Sequence, residues 1–382
     1  MPYLVRKAQI CVVAEGTEGT FPTMAAASAK MLVYDLSFED RPELFDRNPA
    51  RTTLSKLSKV VGKQAAGVSW RTELKGSGAV ATRPAWDVAL RACGFSSASV
   101  STITVSGMTG TFYPGETFTT SSGSKRGKIV QRHNSATTLY YCATSGALIS
   151  GATIVGDTSS ATCLAAATPI ASQGFGYWPI SASDPSVGIG VYRDGLLKEV
   201  AGARGTVTVE ARAGEPAFLN FSFDGVYEAV TDTAMLTSVT YESTDPPAFL
   251  SATTYIDGLQ AVFSQLSCSM NNVLAMRESA AASKGILSTK ITDRDPRLTI
   301  DPEMVLVATT DFYGRLHSAS TGYWSTRWGS TAGNILSVGS PRVYYEGVAE
   351  GDRTGLQVAS LEFGLKAATV SGGDDELILA MI

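Results

Sequence analysis

Histidine is nearly missing from this chain of 382 residues: there are two, His133 and His317. Neither has a Ser or Cys partner at a spacing that suggests a triad, so histidine-mediated acid–base chemistry has little to work with. Charge is also sparse. Asp, Glu, Lys and Arg make up 17% of residues, below the quarter or so usual for soluble domains. The formal charge of −4 argues against a dedicated nucleic-acid binder, which usually carries a basic surface. No window of about 18 apolar residues exists, which excludes a membrane-spanning helix and implies no membrane insertion of the chain. Arg6-Lys7 followed by apolar Ala8–Ala14 is too short for a secretion signal, so none is expected. The five cysteines (Cys11, Cys93, Cys142, Cys163, Cys268) are odd in number and scattered, which reads as free buried thiols rather than a disulfide framework.

The residues that could imitate a site fall short of one. Cys142, Cys163 and His133 lack a fourth zinc ligand. Asp293, Asp295, Asp301 and Glu303 lack the spacing of a calcium loop and read as a solvated loop with Asp–Arg pairs. Asp374-Asp375-Glu376 reads as a solvated turn. Gly62–Gly67 lacks the Lys-Ser/Thr ending of a phosphate loop. Paired carboxylates for glycan hydrolysis are not evident. We therefore expect no catalytic residues, no metal, no cofactor and no enzyme.

What is present is Gly, at 37 residues, with abundant Ser and Thr: the mixture of short strands joined by tight turns. Met31–Leu74 and Ala261–Met304 share an order of elements at a constant offset of 230 residues. Leu36-Ser37 falls on Leu266-Ser267, Leu57-Ser58 on Leu287-Ser288, and Glu73 on Glu303. A chain that carries one β-unit twice builds something symmetric.

Along the chain, Leu4–Ala14, Met31–Phe38, Leu57–Val61 and Ala66–Leu74 read as strands, with Glu39–Asn48 a charged loop. Thr82–Phe95 reads as a helix, capped by Thr82, with Pro84 in its first turn and Gly94 after its end. Trp86, Leu90 and Cys93 would pack its inner face. From Ser96 to Phe175 the chain becomes poor in charge and rich in Ser, Thr, Gly and Ala, an all-β insertion. Gly205–Ala211 and Ala217–Phe223 alternate, placing Val207, Val209, Ala211 and Leu219, Phe221, Phe223 on inner faces. Asp194-Gly195 turns a hairpin and Asp224-Gly225 closes a strand. Ser243–Phe249 reads as a linker. In the second half, Leu259–Met270, Gly285–Ile291, Ile335–Tyr345, Gly355–Lys366 and Glu376–Ile382 are expected strands, and Phe312–Ser320 fills the helix slot. The domains are then 1–95 with 176–245, the insertion 96–175, and 246–382.

Four stretches carry a resemblance: EGTEGTFPT at Glu15–Thr23; VSWRTELKGSG with RPAWDVALRACGF at Val68–Phe95; Tyr192–Tyr227; and Ile291–Glu303 continuing through Asp352–Phe363 to Gly372–Met381. In this order the chain resembles the tail tube (major tail) proteins of long-tailed bacteriophages. The resemblance implies a mainly β fold: two tandem tail-tube-type β-sandwich/barrel units, each with a flanking helix, plus the all-β insertion displayed outside. It implies a structural virion protein, made in the host bacterial cytoplasm, that self-assembles into stacked rings forming a conduit for genome ejection. Two units per chain favour a trimeric ring with pseudo-six-fold symmetry over a hexamer. The implied partners are further copies of the chain, a tape measure protein and tail terminator or tip proteins, with DNA passing an acidic lumen without specific binding. Glu39, Asp40, Arg41, Glu43, Asp46 and Arg47 fall where the family has a loop reaching the neighbouring ring, as does Asn271–Ser283 in the second unit. The alternative is a tail tip, baseplate or adhesin-type protein whose insertion binds the host surface.

Overall fold

The computed structural model describes residues 4, 6–121, 124–146, 148–368 and 372–382. The fold is mainly β. Two antiparallel sheets have the same strand order. In the first, the order is Tyr34–Phe45, Val60–Glu73, Phe218–Asp232, Leu196–Arg212, Val187–Arg193, Ala8–Ala14. In the second it is Phe263–Ser269, Arg297–Pro302, Leu356–Leu365, Leu336–Arg353, Thr321–Trp328, Thr253–Ile256.

The registers coincide as well. Ser37 faces Ser69 and Phe38 faces Val68 in the first sheet; Ser267 faces Thr299 and Cys268 faces Leu298 in the second. Every partner is displaced by 230 residues, the offset seen in the sequence. Trp70 faces Phe221 just as Ile300 faces Leu361. Register is strongly specified when one sheet face is buried, because a slip of one residue turns every apolar side chain outward. The offset therefore outlasts the loss of sequence identity.

Both sheets bury one face in a single apolar core. Val68, Trp70, Val207, Val209, Leu219, Phe221 and Phe223 meet Leu266, Cys268, Leu298, Ile300, Leu361 and Phe363 there. Trp70 stacks on Phe223 with ring centroids 5.1 Å apart, a geometry that adds to plain area burial. The C-terminal strand Ile378–Met381 is wholly buried. It pairs with Leu336–Gly339 on one side and Phe175–Tyr177 on the other.

The insertion leaves along one long strand, Phe95–Thr109. Six strands close a barrel: Phe95–Thr109, Thr138–Ala143, Lys125–Ile129, Thr117–Thr120, Thr153–Gly156 and Thr162–Ala165, the last returning to the first. Closure leaves no open edge. Its core, including Phe112, Phe118, Leu139 and Ile154, is separate from the main one. All five cysteines are free and buried, Cys142 and Cys163 in different cores.

Several elements differ from expectation. Strand Tyr34–Phe45 runs through the expected loop, because Glu39–Phe45 keeps a ladder with Val60–Gly67; the connection is residues 46–59. The helix is only Asp87–Arg91, with Trp86 rather than Thr82 at its N-cap. The Asp87 carboxylate is instead held by Arg83, Arg91 and Tyr177. Gly94 has φ +81°, the left-handed conformation that ends the helix. Asp194 and Gly195 both have positive φ and turn the expected hairpin. Asp224-Gly225 does not close a strand: Phe218–Asp232 continues past it, opposite a bulge at Ala201/Arg204. The first strand is Ala8–Ala14; Val5 of the expected Leu4–Ala14 lies outside the described residues.

Candidate functional site

The two sheets are joined edge to edge. Residues 208–212 of Leu196–Arg212 pair with 265–269 of Phe263–Ser269: Thr208 faces Ser269, Val209 faces Cys268, Glu210 faces Ser267, Ala211 faces Leu266 and Arg212 faces Gln265. This seam makes one ribbon of eight strands, from Tyr34–Phe45 at one end to residues 345–353 at the other.

Strand alternation gives the ribbon two unlike faces. One is the apolar core face. The other carries Ser37 and Glu39, Ser69 and Arg71, Asn220 and Ser222, Thr208 and Glu210, Ser267 and Ser269, Arg297 and Thr299, and Ser360 and Glu362, all exposed or half-buried. The hydroxyls of Thr208 and Ser269 are 3.0 Å apart across the seam, and Arg212 reaches Gln265 at 3.4 Å. A shallow groove at one end is lined by Arg71, Glu210, Arg212, Gln265, Asp301 and Ser360. Two of the arginines are held by carboxylates, Arg71 by Asp35 at 2.7 Å and Arg297 by Asp295 and Glu346 at 2.7 and 2.6 Å, while Arg212 has the Gln265 side-chain oxygen. The face is thus polar without a track of unpaired positive charge.

Both ends of the ribbon are open. Among the described residues, Tyr34–Phe45 pairs only with Val60–Glu73. Residues 345–353 pair, among the described residues, only with Leu356–Leu365, since Thr321–Trp328 has left the ladder by Tyr344. An open edge is a template for another strand.

The charged residues singled out in the sequence divide into two groups. Glu39, Asp40, Arg41 and Glu43 lie on the edge strand. Arg41 bonds Glu39 at 2.6 Å and Asp224 at 2.7 Å, and the hydrogen bond and charge of Arg41 hold the Glu39 carboxyl below its usual range. Lys63 pairs with Glu43 and Glu278. Asp46 and Arg47 lie on connection 46–59, which is exposed almost throughout, with Leu54 fully exposed and Lys59 3.3 Å from Asp46. Trp86, Leu90 and Cys93 are buried in the main core, with Trp86 Nε1 donating to the Lys75 carbonyl at 2.9 Å.

The second connection is not the free loop expected at Asn271–Ser283. Asn272–Glu278 pairs with Ile286–Arg294, and this hairpin lies along the first sheet. Met276 and Ile286 pack on Ala65 and Val226, and Asn272 donates to the carbonyls of Cys93 and Gly205. Polar staples complete it. Arg204, almost fully buried, is gripped by Glu18 and Asp184, and Glu18 also accepts from Ser288 and Lys290. Burial pushes the Glu18 carboxyl up, but the bonds from Lys290, Ser288 and Arg204 outweigh it and hold it at about 2. Sequence reasoning missed this network because its members are remote in the chain. The acidic stretch near the C-terminus is likewise a clasp rather than a solvated turn: Arg294 binds Asp374 and Glu376, and buried Asp375 accepts from the Ala368 amide. Asp295, Asp301 and Glu303 pair with Arg297, Lys366 and Arg353. No cluster of metal-ligating side chains occurs among the described residues.

The insertion barrel sits on the second sheet. Tyr113 stacks on Tyr323 with centroids 4.2 Å apart, Arg132 donates to the Tyr323 hydroxyl and lies 3.8 Å from the Tyr255 ring centroid, and Lys128 donates to the Asp374 carbonyl.

No curated protein matches the chain. The family model of phage tail tube proteins matches residues 6–378. Two like-ordered sheets joined into one two-faced ribbon with open ends belong, on that match, to a structural component of a virion tail: the chain is a member of the phage tail tube protein family.

Proposed function

We propose that the chain assembles into trimeric rings that stack into the tail tube, with the polar face of the eight-strand ribbon lining a conduit for the viral genome. The observation that carries this reading is the ribbon itself: a continuous two-faced sheet with one sheet edge left open at each end. Closing such ribbons head to tail removes every edge.

Size supports three chains. With strands about 4.8 Å apart and tilted about 40°, 24 strands close at a backbone diameter of about 48 Å, leaving about 38 Å after side chains. That admits a DNA duplex. Two chains, with 16 strands, would leave about 22 Å, with almost no clearance around a duplex, and six chains, with 48 strands, would leave about 86 Å, far more than a duplex needs. The lining suits passage, because carboxylates at Glu39, Glu210 and Glu362 repel phosphates while Arg41, Arg71 and Arg297 are already paired with carboxylates. Connection 46–59, with Asp46 and Arg47 at its start, is the segment that reaches the next ring, and the insertion barrel stands outside.

Electron microscopy of the concentrated protein tests this. Stacked rings with a six-lobed wall and three outer protrusions are expected. Six protrusions would replace the trimer by a hexamer. Particles that never polymerise would overturn the tube and favour a tip or adhesin role for the insertion.

A further inference from the structure

We propose that the seam inside the chain is repeated between chains: residues 35–39 of one copy add to the open edge at 349–353 of the next, in the register of the internal junction. This rests on the tube reading for its partner, a second copy. The register comes from the fold alone.

The derivation uses the coincidence of the two sheets. Tyr34–Phe45 maps onto Phe263–Ser269 at an offset of 230, since Ser37 facing Ser69 repeats as Ser267 facing Thr299. Phe221 maps onto Leu361, because Trp70 and Ile300 are their partners. Val207 faces Phe221 and Val348 faces Leu361, so the strand Leu196–Arg212 maps onto Leu336–Arg353 at an offset of 141 over this part. The internal pairs then translate directly. Thr208 facing Ser269 becomes Ala349 facing Glu39, Glu210 facing Ser267 becomes Gly351 facing Ser37, and Arg212 facing Gln265 becomes Arg353 facing Asp35.

Three features of the two edges agree with the translation. The faces match: Val348, like Val207, packs toward the core, so Ala349 and Gly351 take the polar face with Glu39 and Ser37. The chemistry is compatible: Arg212 reaches Gln265 in the internal seam, and the translated pair keeps the arginine and puts the Asp35 carboxylate in place of the amide, each sharing or exchanging the partner it has within one chain, Glu303 for Arg353 and Arg71 for Asp35. The extent matches: the internal seam stops at Ser269, the equivalent of Glu39, and Pro42, which has no amide to donate, lies beyond that limit.

Hydrogen-bond phase selects the test. The Met270 amide donates to Val207 and the Ala213 amide to Ser264. Thr208 and Ser269 therefore form a non-hydrogen-bonded pair, whose Cα atoms lie about 4.5 Å apart in antiparallel sheets. That is within disulfide reach. The test uses the full chain with two in-register double variants, Glu39→Cys/Ala349→Cys and Ser37→Cys/Gly351→Cys, and two slipped ones, Ser37→Cys/Ala349→Cys and Arg41→Cys/Ala349→Cys. The native cysteines are all buried. Each variant is assembled under reducing conditions, checked for rings by microscopy, then oxidised and run on a denaturing gel. At least fivefold more covalent trimer from the in-register pairs than from the slipped pairs is expected, and none from single variants. Rings that cross-link preferentially through a slipped pair, or through neither, overturn the register while leaving the tube reading intact. Absence of rings for the unmodified chain overturns the tube reading, and this proposal with it.

Discussion

Thr208 and Ser269, sixty-one residues apart, meet hydroxyl to hydroxyl at 3.0 Å across the line where two sheets become one. Beneath them Val209 faces Cys268, and both are buried in the common core. The seam therefore combines a polar upper surface with an apolar underside, and neither sheet has a separate core to fall back on.

Ala211→Pro tests how much the seam carries. Ala211 is buried and in the hydrogen-bonded phase opposite Leu266. Proline removes the amide and orphans the Leu266 carbonyl, which costs about 1–3 kcal/mol before any backbone shift. The denaturant midpoint should fall accordingly, with hydrogen exchange accelerating in both 208–212 and 265–269. Exchange that rises in one strand alone would mean the sheets fold independently.

The sequence displayed this architecture unevenly. Alternation in Gly205–Ala211 and Ala217–Phe223 was readable because those strands bury one face beside the core. The 230-residue offset was readable because register is fixed by the same burial. Strand Glu39–Phe45 was not, since it is an edge strand whose side chains are exposed and charged, and its ladder depends on Val60–Gly67. The helix read too long because the chain before Asp87 is in turns: the Thr82 amide donates to the Ala79 carbonyl and the Asp87 amide to the Pro84 carbonyl, so the helix begins only after Trp86. The polar face of the ribbon was legible strand by strand but not as one surface, since only the seam makes it continuous.

Arg132 anchors the insertion barrel, touching both Tyr255 and Tyr323. Arg132→Ala should lower global stability by about 1–3 kcal/mol through the lost cation–π and hydrogen-bond contacts. Arg132→Lys should recover little, because a lysine cannot both stack and donate from a planar group. Thermal unfolding of the three proteins decides it; full recovery by lysine would mean that charge alone matters.

Acidity should act on the barrel in two opposing ways. Glu116, fully inaccessible to solvent, accepts from the amides of Tyr113, Thr158 and Ser159, yet burial pushes its carboxyl up to about 7. A raised acid stabilises the fold below its ordinary value near 4.5, and that stability is lost as pH rises toward 7. Burial pushes His133 down to about 3. A depressed base stabilises the fold above about 6.5, and that stability is lost as pH falls toward 3. Between pH 4.5 and 6.5 the slopes oppose each other. Glu116→Gln should leave stability rising with pH in this window, and His133→Gln should leave it falling, each by roughly 1 kcal/mol per pH unit. Urea unfolding at several pH values, followed by limited proteolysis of the barrel, measures both slopes; two variants with the same sign would refute the assignment.

Connection 46–59 carries Arg47, Arg51, Lys56 and Lys59 against Asp46, and holds Leu54 fully exposed at its far end. Among the described residues, none covers this apolar side chain on its basic segment. If the segment reaches the next ring, Leu54→Asp should leave ring formation intact and shorten or abolish tubes, because it places a carboxylate in a contact that an apolar side chain fills. Reversing Arg47 and Arg51 to Glu should do the same with a stronger dependence on salt, since exposed charges a Debye length apart are screened. The proportion of rings to tubes, counted by electron microscopy across a salt series, separates the two effects. Tubes of normal length from Leu54→Asp would remove this connection from the stacking contact and turn attention to the ends of the barrel wall instead.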